Sequence, residues 1–448
     1  NGVGGFLKGL YRTVYPILQR VAKPVGEELW QAGVSVLDDV LTHKSDFKKS
    51  LETRLKESGH RLKRKACTKS ELDLFTIPPT QTTIEDSTWA YYNPISSMSD
   101  DSQIEFHVPG TSEEYIDLPH TLLKIRAKIV DKNGAVAPAT DAVGPVNLTL
   151  HISASNSTYP YRAYIETILN YGYDATNRPL QLALWYPDTP GRMNTNSVVA
   201  ADAKNEGLVA RCVHTNAGKQ FEMIGHLHVD VFNQEKFLLN GIEMKINLTR
   251  SKQEFCLMDA SNDKDYKIQI LEASLIVRRV KLNPHIMIAH AKALAKTTAK
   301  YPLTRVEVKS FLLTAGILGN CLDNIIIGTL PKRVVIGFVD NQGFNGNRLY
   351  NPFYFQHFNI NFLCLYVDGK QIPGKPLQPT FSNNIFDAEA YHTLFSGTGI
   401  HFGDHGMQID RDSYRKGYTL FASDLTPDLS AHSAGHWNLI KSGSLRIE

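Results

Sequence analysis

The residues best suited to chemistry lie in a few short stretches. His401-Phe402-Gly403-Asp404-His405 sets two imidazoles four apart, the spacing at which one helical face could offer both to a metal. Gly403 and Gly406 argue against a helix there, so loop packing outweighs a metal site. His226-Leu227-His228, with Asp230 close by, reads as strand, where alternation puts both imidazoles on one face. A partner-facing or solvated face outweighs a ligand pair. Gly397-x-Gly399 lacks the preceding strand and following helix that a dinucleotide site needs. Glu166 and Asp174 are loop acids with no pairing signal. Cys67, Cys212, Cys256, Cys321 and Cys364 are scattered, odd in number and form no C-x-x-C, which fits a reducing compartment rather than a disulfide framework or zinc ribbon. Neither G-x-S-x-G nor a Walker A loop occurs. These observations point to a structural protein and not an enzyme, with no metal, no cofactor and no small-molecule substrate expected.

The elements that carry these residues must come from 448 residues, enough for two or three domains. A hydrophobic content of 42% beside 21% charged residues is that of a folded chain. No apolar run approaches the ~18–20 residues of a membrane span. Sequons at Asn147, Asn156 and Asn247 read as chance occurrences in the absence of a visible signal peptide. The net charge of +3 is unevenly distributed: residues 1–66 hold 13 Lys/Arg against 7 Asp/Glu, a net of +6, and the remainder is −3. Basic character belongs to one end, and the body presents no bulk electrostatic case for nucleic acid. The chain starts at Asn1 without a methionine and stops at Glu448 inside a strand-like run, so both ends look cut.

From Phe6, apolar residues including Leu10, Val14, Leu18 and Val21 recur at helical spacing, interrupted at Pro16 and Pro24. A second amphipathic piece runs from Leu29 through Trp30, Val34, Leu37 and Val40 to Leu41. Residues 42–66 then carry nine Lys/Arg against three acids and end in Arg61-Leu62-Lys63-Arg64-Lys65. Two readings stand: a tail helix that docks on the body, or an arm whose Phe6, Leu10, Val14, Leu18 and Val21 enter membranes while Arg61, Lys63, Arg64 and Lys65 bind an anionic surface, lipid or packaged DNA. A boundary falls at 67–70. Short β-type runs follow at 104–108, 122–130, 146–152, 181–185, 209–213, 221–232, 241–248 and 266–280, with a hairpin turn at Asp131-Lys132-Asn133-Gly134 and a short helix near 161–171. Asn283-Pro284 starts a helix running to about residue 300, the connector between two β domains. Strand patterns resume at 305–313, 334–339, 358–367, 418–422 and 437–440, with 341–351 as loop. About eight strands with long irregular loops describe a jelly roll better than an up-and-down barrel.

Several extended strings carry a family likeness. Tyr366-Val367-Asp368-Gly369 with Pro376-Leu377-Gln378-Pro379, Leu394-Phe395-Ser396-Gly397-Thr398-Gly399, Gly417-Tyr418-Thr419-Leu420-Phe421-Ala422, and Trp437-Asn438-Leu439-Ile440 leading into Leu445-Arg446-Ile447-Glu448 resemble the C-terminal part of the major capsid proteins of Polinton/Maverick elements and adintoviruses. Those are double jelly-roll, hexon-like proteins, and the resemblance covers roughly Ser70 to the end. Residues 1–66 are similar instead to adenovirus protein-VI-like or core-type virion peptides, and as an attached arm they depart from the capsid-protein pattern. The likeness implies a mainly β chain of two tandem antiparallel jelly-roll sandwiches with an amphipathic α-helical N-terminal arm: residues 1–66 the arm, 70–282 the first roll, 283–300 the helical connector, and 301–448 a second roll cut short at its C-terminus, leaving an orphan strand edge. It also implies pseudo-hexagonal homotrimers of an icosahedral virion, assembled inside the host cell, in nucleus or cytoplasm, and touching neighbouring trimers and penton or minor capsid proteins. A second function class remains: a β-sandwich carbohydrate-binding protein stacking sugars on Trp89, Tyr91, Tyr92, Trp185 and Tyr186, which requires a concave aromatic face.

Overall fold

The computed structural model describes residues 81–98, 103–137, 143–147, 152–153, 158–197, 204–260, 265–382, 388–400, 407–433 and 437–448. Thr82–Glu448 form one compact unit, and the expected arm over 1–66 lies outside the described residues.

The first half is built on two long strands, β3 (Glu114–Val130) and β9 (Lys267–Leu282). Alternation along β3 turns Leu123, Ile125, Ala127 and Ile129 inward and Lys124 and Arg126 outward. Outside, Lys124 meets Glu222 at 3.0 Å and Arg126 meets Glu272 at 3.0 Å. With β1 (Ile84–Tyr92) and β6 (Phe221–His226), they make a four-stranded sheet in the order β1-β9-β3-β6. A second sheet has the order β2-β7-β5, from β2 (Ile104–Val108), β5 (Ile152–Ser153) and β7 (Met244–Arg250). Ile104, Phe106, Val108 and Leu248 of this sheet share one core with Leu123, Ile125, Leu275 and Val277 of the first. A two-stranded ribbon pairs β4 (Val143–Pro145) with β8 (Leu257–Asp259). The pairing is nested: the first strand takes the last, β2 takes β7, and β3 takes β6.

The second half repeats that nesting. Here β10 (Leu322–Thr329) pairs with the last strand, β15 (Ser442–Ile447), and β11 (Arg333–Gly337) pairs with β14 (Leu420–Asp424). The third strand, β12 (Leu363–Val367), also pairs with β15 and is flanked by β13 (Lys370–Leu377), so the order is β10-β15-β12-β13. All these pairs are antiparallel. The chain is therefore mainly β, in separate antiparallel sheets, with helices inserted between strands.

Four helices of ten residues or more occur among the described residues: α1 (Tyr159–Asn170), α2 (Glu206–Thr215), α3 (Pro284–Leu294) and α4 (Ala388–Thr398). α3 starts as its residues dictate, with the Asn283 side chain accepting from the His285 N–H at 3.0 Å and Pro284 in the first turn. It stops at Leu294 rather than near 300, ahead of the β-branched pair Thr297-Thr298. The Asp131 turn forms as expected: its carboxylate accepts from the N–H groups of Asn133 and Ala135, and Gly134 takes φ +84°.

Several expected strands are something else. Residues 209–213 lie inside α2, where Leu208, Arg211, Cys212 and Thr215 are buried at helical spacing. Gly144 on β4 makes room for that helix, since a Cβ there would meet the Cys212 sulfur and Leu208. Residues 181–185 fall on a 3₁₀ turn, Pro179–Ala183, closed by Leu184 at φ +55°. Within 358–367 the ladder begins only at Leu363, because Phe358 and Asn359 adopt positive φ. Residues 305–313 and 437–440 have no ladder partner among the described residues. The expected loop at 341–351 opens with a short helix, Asn341–Asn345, capped by the Asp340 carboxylate. The expected orphan edge at the C-terminus is also corrected: β15 lies between β10 and β12, and Glu448 exchanges backbone hydrogen bonds with Cys364 at 2.9 and 3.0 Å.

Candidate assembly surface

The stretches singled out for chemistry settle into structural roles or lie outside the described residues. His401 and His405 lie outside, as do Phe6, Leu10, Val14, Leu18, Val21, Arg61, Lys63, Arg64 and Lys65. Among the described residues no three His, Cys, Asp or Glu side chains converge as a metal would require, and no helix is long and apolar enough to cross a membrane. Gly397 lies in α4 against the Ala422 backbone of β14, and Gly399, at φ +80°, follows the helix end. The pair is a packing and capping device. Burial pushes the Cys212 thiol up to about 11 and that of Cys256 to about 12, so both stay protonated at neutral pH.

His226 and His228 do not form a solvated strand face. β6 ends at His226, and both rings turn towards neighbouring side chains, 6.0 Å apart. His226 Nε2 lies 3.1 Å from Asn233 Oδ1, and His228 Nδ1 lies 2.7 Å from Glu166 Oε2. Glu166 also accepts from Arg162 Nε at 2.8 Å one turn earlier on α1, and Arg162 Nη2 reaches Asp230 at 2.7 Å. Asp230 in turn accepts the Val306 N–H at 3.3 Å, tying the segment after α3 to the first half. Burial pushes the Glu166 carboxyl up, but the His228 hydrogen bond and the Arg162 charge outweigh it and hold it below its ordinary value. Burial lowers His226, only partly offset by Asn233. The His226-Leu227-His228 string with Asp230 does not reveal this cluster, because its members come from three separate segments, 162–166, 226–233 and 306.

A second polar cluster lies deep in the unit. Arg211 is fully buried on α2; it donates from Nε to the Pro145 carbonyl at 2.7 Å and from Nη2 to Asp188 Oδ1 at 2.6 Å. Its Nη1 donates to Asn147 Oδ1 and the Tyr186 carbonyl, both at 2.7 Å. Asp188 also accepts from Asn205 at 2.9 Å and from Asn351 of the second half at 2.9 Å, while the Tyr418 hydroxyl donates to its carbonyl at 2.9 Å. Around it, Tyr164 stacks on Phe353 with ring centroids 4.3 Å apart, in a core shared by Trp185, Leu208, Phe355, Tyr414 and Leu420. The two halves are thus fused through one polar and one aromatic layer. The sequon residue Asn147 is sealed inside, where no glycan could be attached.

What remains open is a surface. None of the residues 283–342 is buried, although they include α3, β10 and β11. Between Lys309 and Asp323 the chain carries no charge, yet Phe311, Leu312, Leu313, Ile317 and Leu318 are all exposed, Leu318 completely. Lys309 Nζ donates to the Ile325 carbonyl at 2.8 Å, so this segment doubles back along β10 as a wide loop with an apolar tip. Ile327 of β10 is exposed too, as are Trp437, Leu439 and Ile440 ahead of β15. Scattered exposed apolar side chains are ordinary, but this concentration on one connector is the mark of an interaction site.

The aromatic set expected of a sugar platform is dispersed. Trp185 is buried beneath Tyr164, its Nε1 donating to Gln408 at 3.3 Å, and Tyr92 turns inward to place its ring 5.6 Å from the Arg279 guanidinium. Trp89 and Tyr91 are exposed on β1.

No protein-family model matches the chain. It is 26% identical over 377 residues to the Caenorhabditis elegans "uncharacterized protein F54H12.2", covering 78% of this chain and 86% of that one. Among solved structures it is similar to a chain in the cryo-EM structure of the Sputnik virophage, at 12% identity and a TM-score of 0.49, covering 85% of each chain. The Faustovirus major capsid protein scores 0.38 at 10% identity, covering 84% of this chain and 88% of that one. The mavirus major capsid protein scores 0.37 at 12% identity, with 85% and 86% covered.

Proposed function

We propose that this chain is a structural coat protein: a double jelly roll that assembles as a homotrimer and tiles an icosahedral virion. The observation that carries the reading is the repeated nesting. First strand with last and third with last occur in both halves, and in each the second strand takes a later strand inside that outer pair, β2 with β7 and β11 with β14, giving β1-β9-β3-β6 and β10-β15-β12-β13. Nested antiparallel pairing folded into two facing sheets is jelly-roll topology, a form that coat proteins use. On this reading the first roll spans about 70–282, residues 283–300 connect, and the second roll follows. The role is surface complementarity rather than turnover. Partners are two further copies, neighbouring trimers, and penton or minor capsid proteins. The site of action is the virion, assembled inside the host cell. The string resemblance to Polinton/Maverick and adintovirus capsid proteins supports the same assignment, and residues 1–66 serve as an arm towards membrane or packaged DNA.

Light scattering on the full chain tests the assembly. The expected mass is three times 50.1 kDa. A chain that stays at the single-copy mass at the highest attainable concentration would overturn the reading.

A further inference from the structure

We infer that copies of this chain join head to tail, the apolar connector of one copy seating on the β1 edge of the next. The inference rests on the assembly reading above and adds which surfaces meet. The uncovered strip, which is the connector together with the first residues after it (hereafter the connector), is basic as well as apolar: residues 284–320 hold five Lys/Arg and one Glu, a net of +4. The body beyond residue 66 is −3 overall, so everything else in it sums to −7. A basic, uncovered strip on an acidic body is complementary to another copy of that body.

The receiving surface follows from the edges of the large sheets. β13 carries Lys370 and Lys375 and would repel the connector. On β6, Glu222 is already held by Lys124 and Arg126. β10 is flanked by its own connector through Lys309. β1 differs: it is the outermost strand of its sheet among the described residues, and Glu85 and Asp86 are exposed, without an ion pair to a described cation, the Asp86 carboxylate accepting the N–H of its neighbour Ser87 at 2.7 Å. A few residues along the same strand, Trp89 is 48% and Tyr91 65% exposed. Acids followed by aromatics on β1 match Arg305 and Lys309 followed by Leu312 and Leu318 on the connector. Within the connector Arg305 meets only Glu307, at 2.8 Å and in solvent, a pair too exposed to satisfy it strongly. Because the two surfaces are different patches of one chain, the contact is heterologous, and such contacts close into rings when the rotation permits.

A charge-swap cycle on the full chain tests this, read as trimer fraction by mass photometry and as thermal melting. R305E with K309E, and separately E85K with D86K, are each expected to lower the trimer association constant at least about tenfold while the unit still melts cooperatively, K309E losing only the exposed contact to the Ile325 carbonyl. Combining all four substitutions is expected to restore it, and wild-type association is expected to weaken with added salt. L318D, which removes the apolar tip without altering the basic pair, is expected to lower association as well. A trimeric wild type whose mass ignores both reversals overturns the pairing but leaves the coat-protein reading intact. Reversals that each disrupt association but do not rescue one another overturn it likewise. A monomeric wild type instead defeats the assembly reading itself. Should L318D abolish flotation with phosphatidylcholine vesicles while leaving the mass untouched, the tip serves a membrane and the inference is wrong.

Discussion

At the scale of single residues, the decisive groups are polar ones the folded unit has enclosed. Arg211 and Asp188 are both fully buried and 2.6 Å apart, with further partners on each. Replacing such a pair by apolar groups can be nearly neutral, but removing one partner strands a buried charge. Arg211→Met is therefore expected to cost roughly 3–5 kcal/mol in chemical denaturation. An exposed lysine such as Lys245, changed in the same way, is expected to shift stability by less than about 0.5 kcal/mol. Acid acts on the Glu166 and His226 cluster with a definite sign. Both groups have folded-state pKa values below their ordinary ones of 4.5 and 6.5, so the unfolded chain binds more protons and stability falls as pH falls. The His226 contribution is present above pH 6.5 and is lost as pH falls through its lowered folded value; that of Glu166 is lost only below 4.5. Melting temperature against pH should decline first in the upper window, and His226→Gln should flatten that step alone. If the variant keeps the wild-type profile, His226 is not the group responsible. None of these roles was legible in sequence. Arg211 takes its meaning from partners 23 to 66 positions away, and Glu166 from His228, 62 positions on; only its pair with Arg162, one helical turn earlier, is local.

At the scale of elements, legibility followed the length and purity of the pattern. Residues 122–130 and 266–280 alternate apolar and polar over many positions; the first lies within β3 and the second matches β9 to within two residues at each end. The α3 start carried its own chemistry in Asn283-Pro284. Residues 209–213, Val-Ala-Arg-Cys-Val, are rich in strand formers, and only the wider spacing of Leu208, Cys212 and Thr215 reveals the helix. Gly397 shows what tertiary context adds. A glycine in a helix costs up to about 1 kcal/mol in propensity, so alanine at this last-turn position would be expected to stabilise α4 slightly. A Cβ there, however, meets the Ala422 backbone of β14, which has no side-chain freedom to yield. Overpacking costs roughly 1–3 kcal/mol and outweighs the propensity gain. Gly397→Ala should thus lower the denaturation midpoint, while Gly374→Ala, with open space around it, should leave it nearly unchanged. A stabilised Gly397→Ala would mean that α4 does not pack on β14 as described.

At the scale of the whole molecule, the chain divides its charge between two parts with opposite tendencies. Residues 1–66 carry +6 and the remainder −3, and the +6 itself lies entirely in 42–66, since 1–41 balance four bases against four acids. Thr82–Glu448 form a compact unit with their own cores, so removal of residues 1–81 is expected to leave a cooperative melt. Binding to anionic vesicles should respond differently. The body alone is repelled by a negative surface, whereas each Lys or Arg near it contributes about 1 kcal/mol of attraction. The full chain is expected to float with phosphatidylserine vesicles at low salt and to release them as the Debye length shortens to about 3 Å near 1 M. Neutralising Arg61, Lys63, Arg64 and Lys65 should weaken that binding. Leu10→Asp with Leu18→Asp should spare the salt-dependent binding and remove dye release, because burying each apolar side chain contributes roughly 1.5–3 kcal/mol at best and a charge in its place opposes insertion. The competing account is that the apolar stripe through Phe6, Leu10, Val14, Leu18 and Val21 packs on the body and is never available. It predicts the reverse: truncation would lower the melting temperature, and intact chain would leave vesicles sealed at every salt concentration.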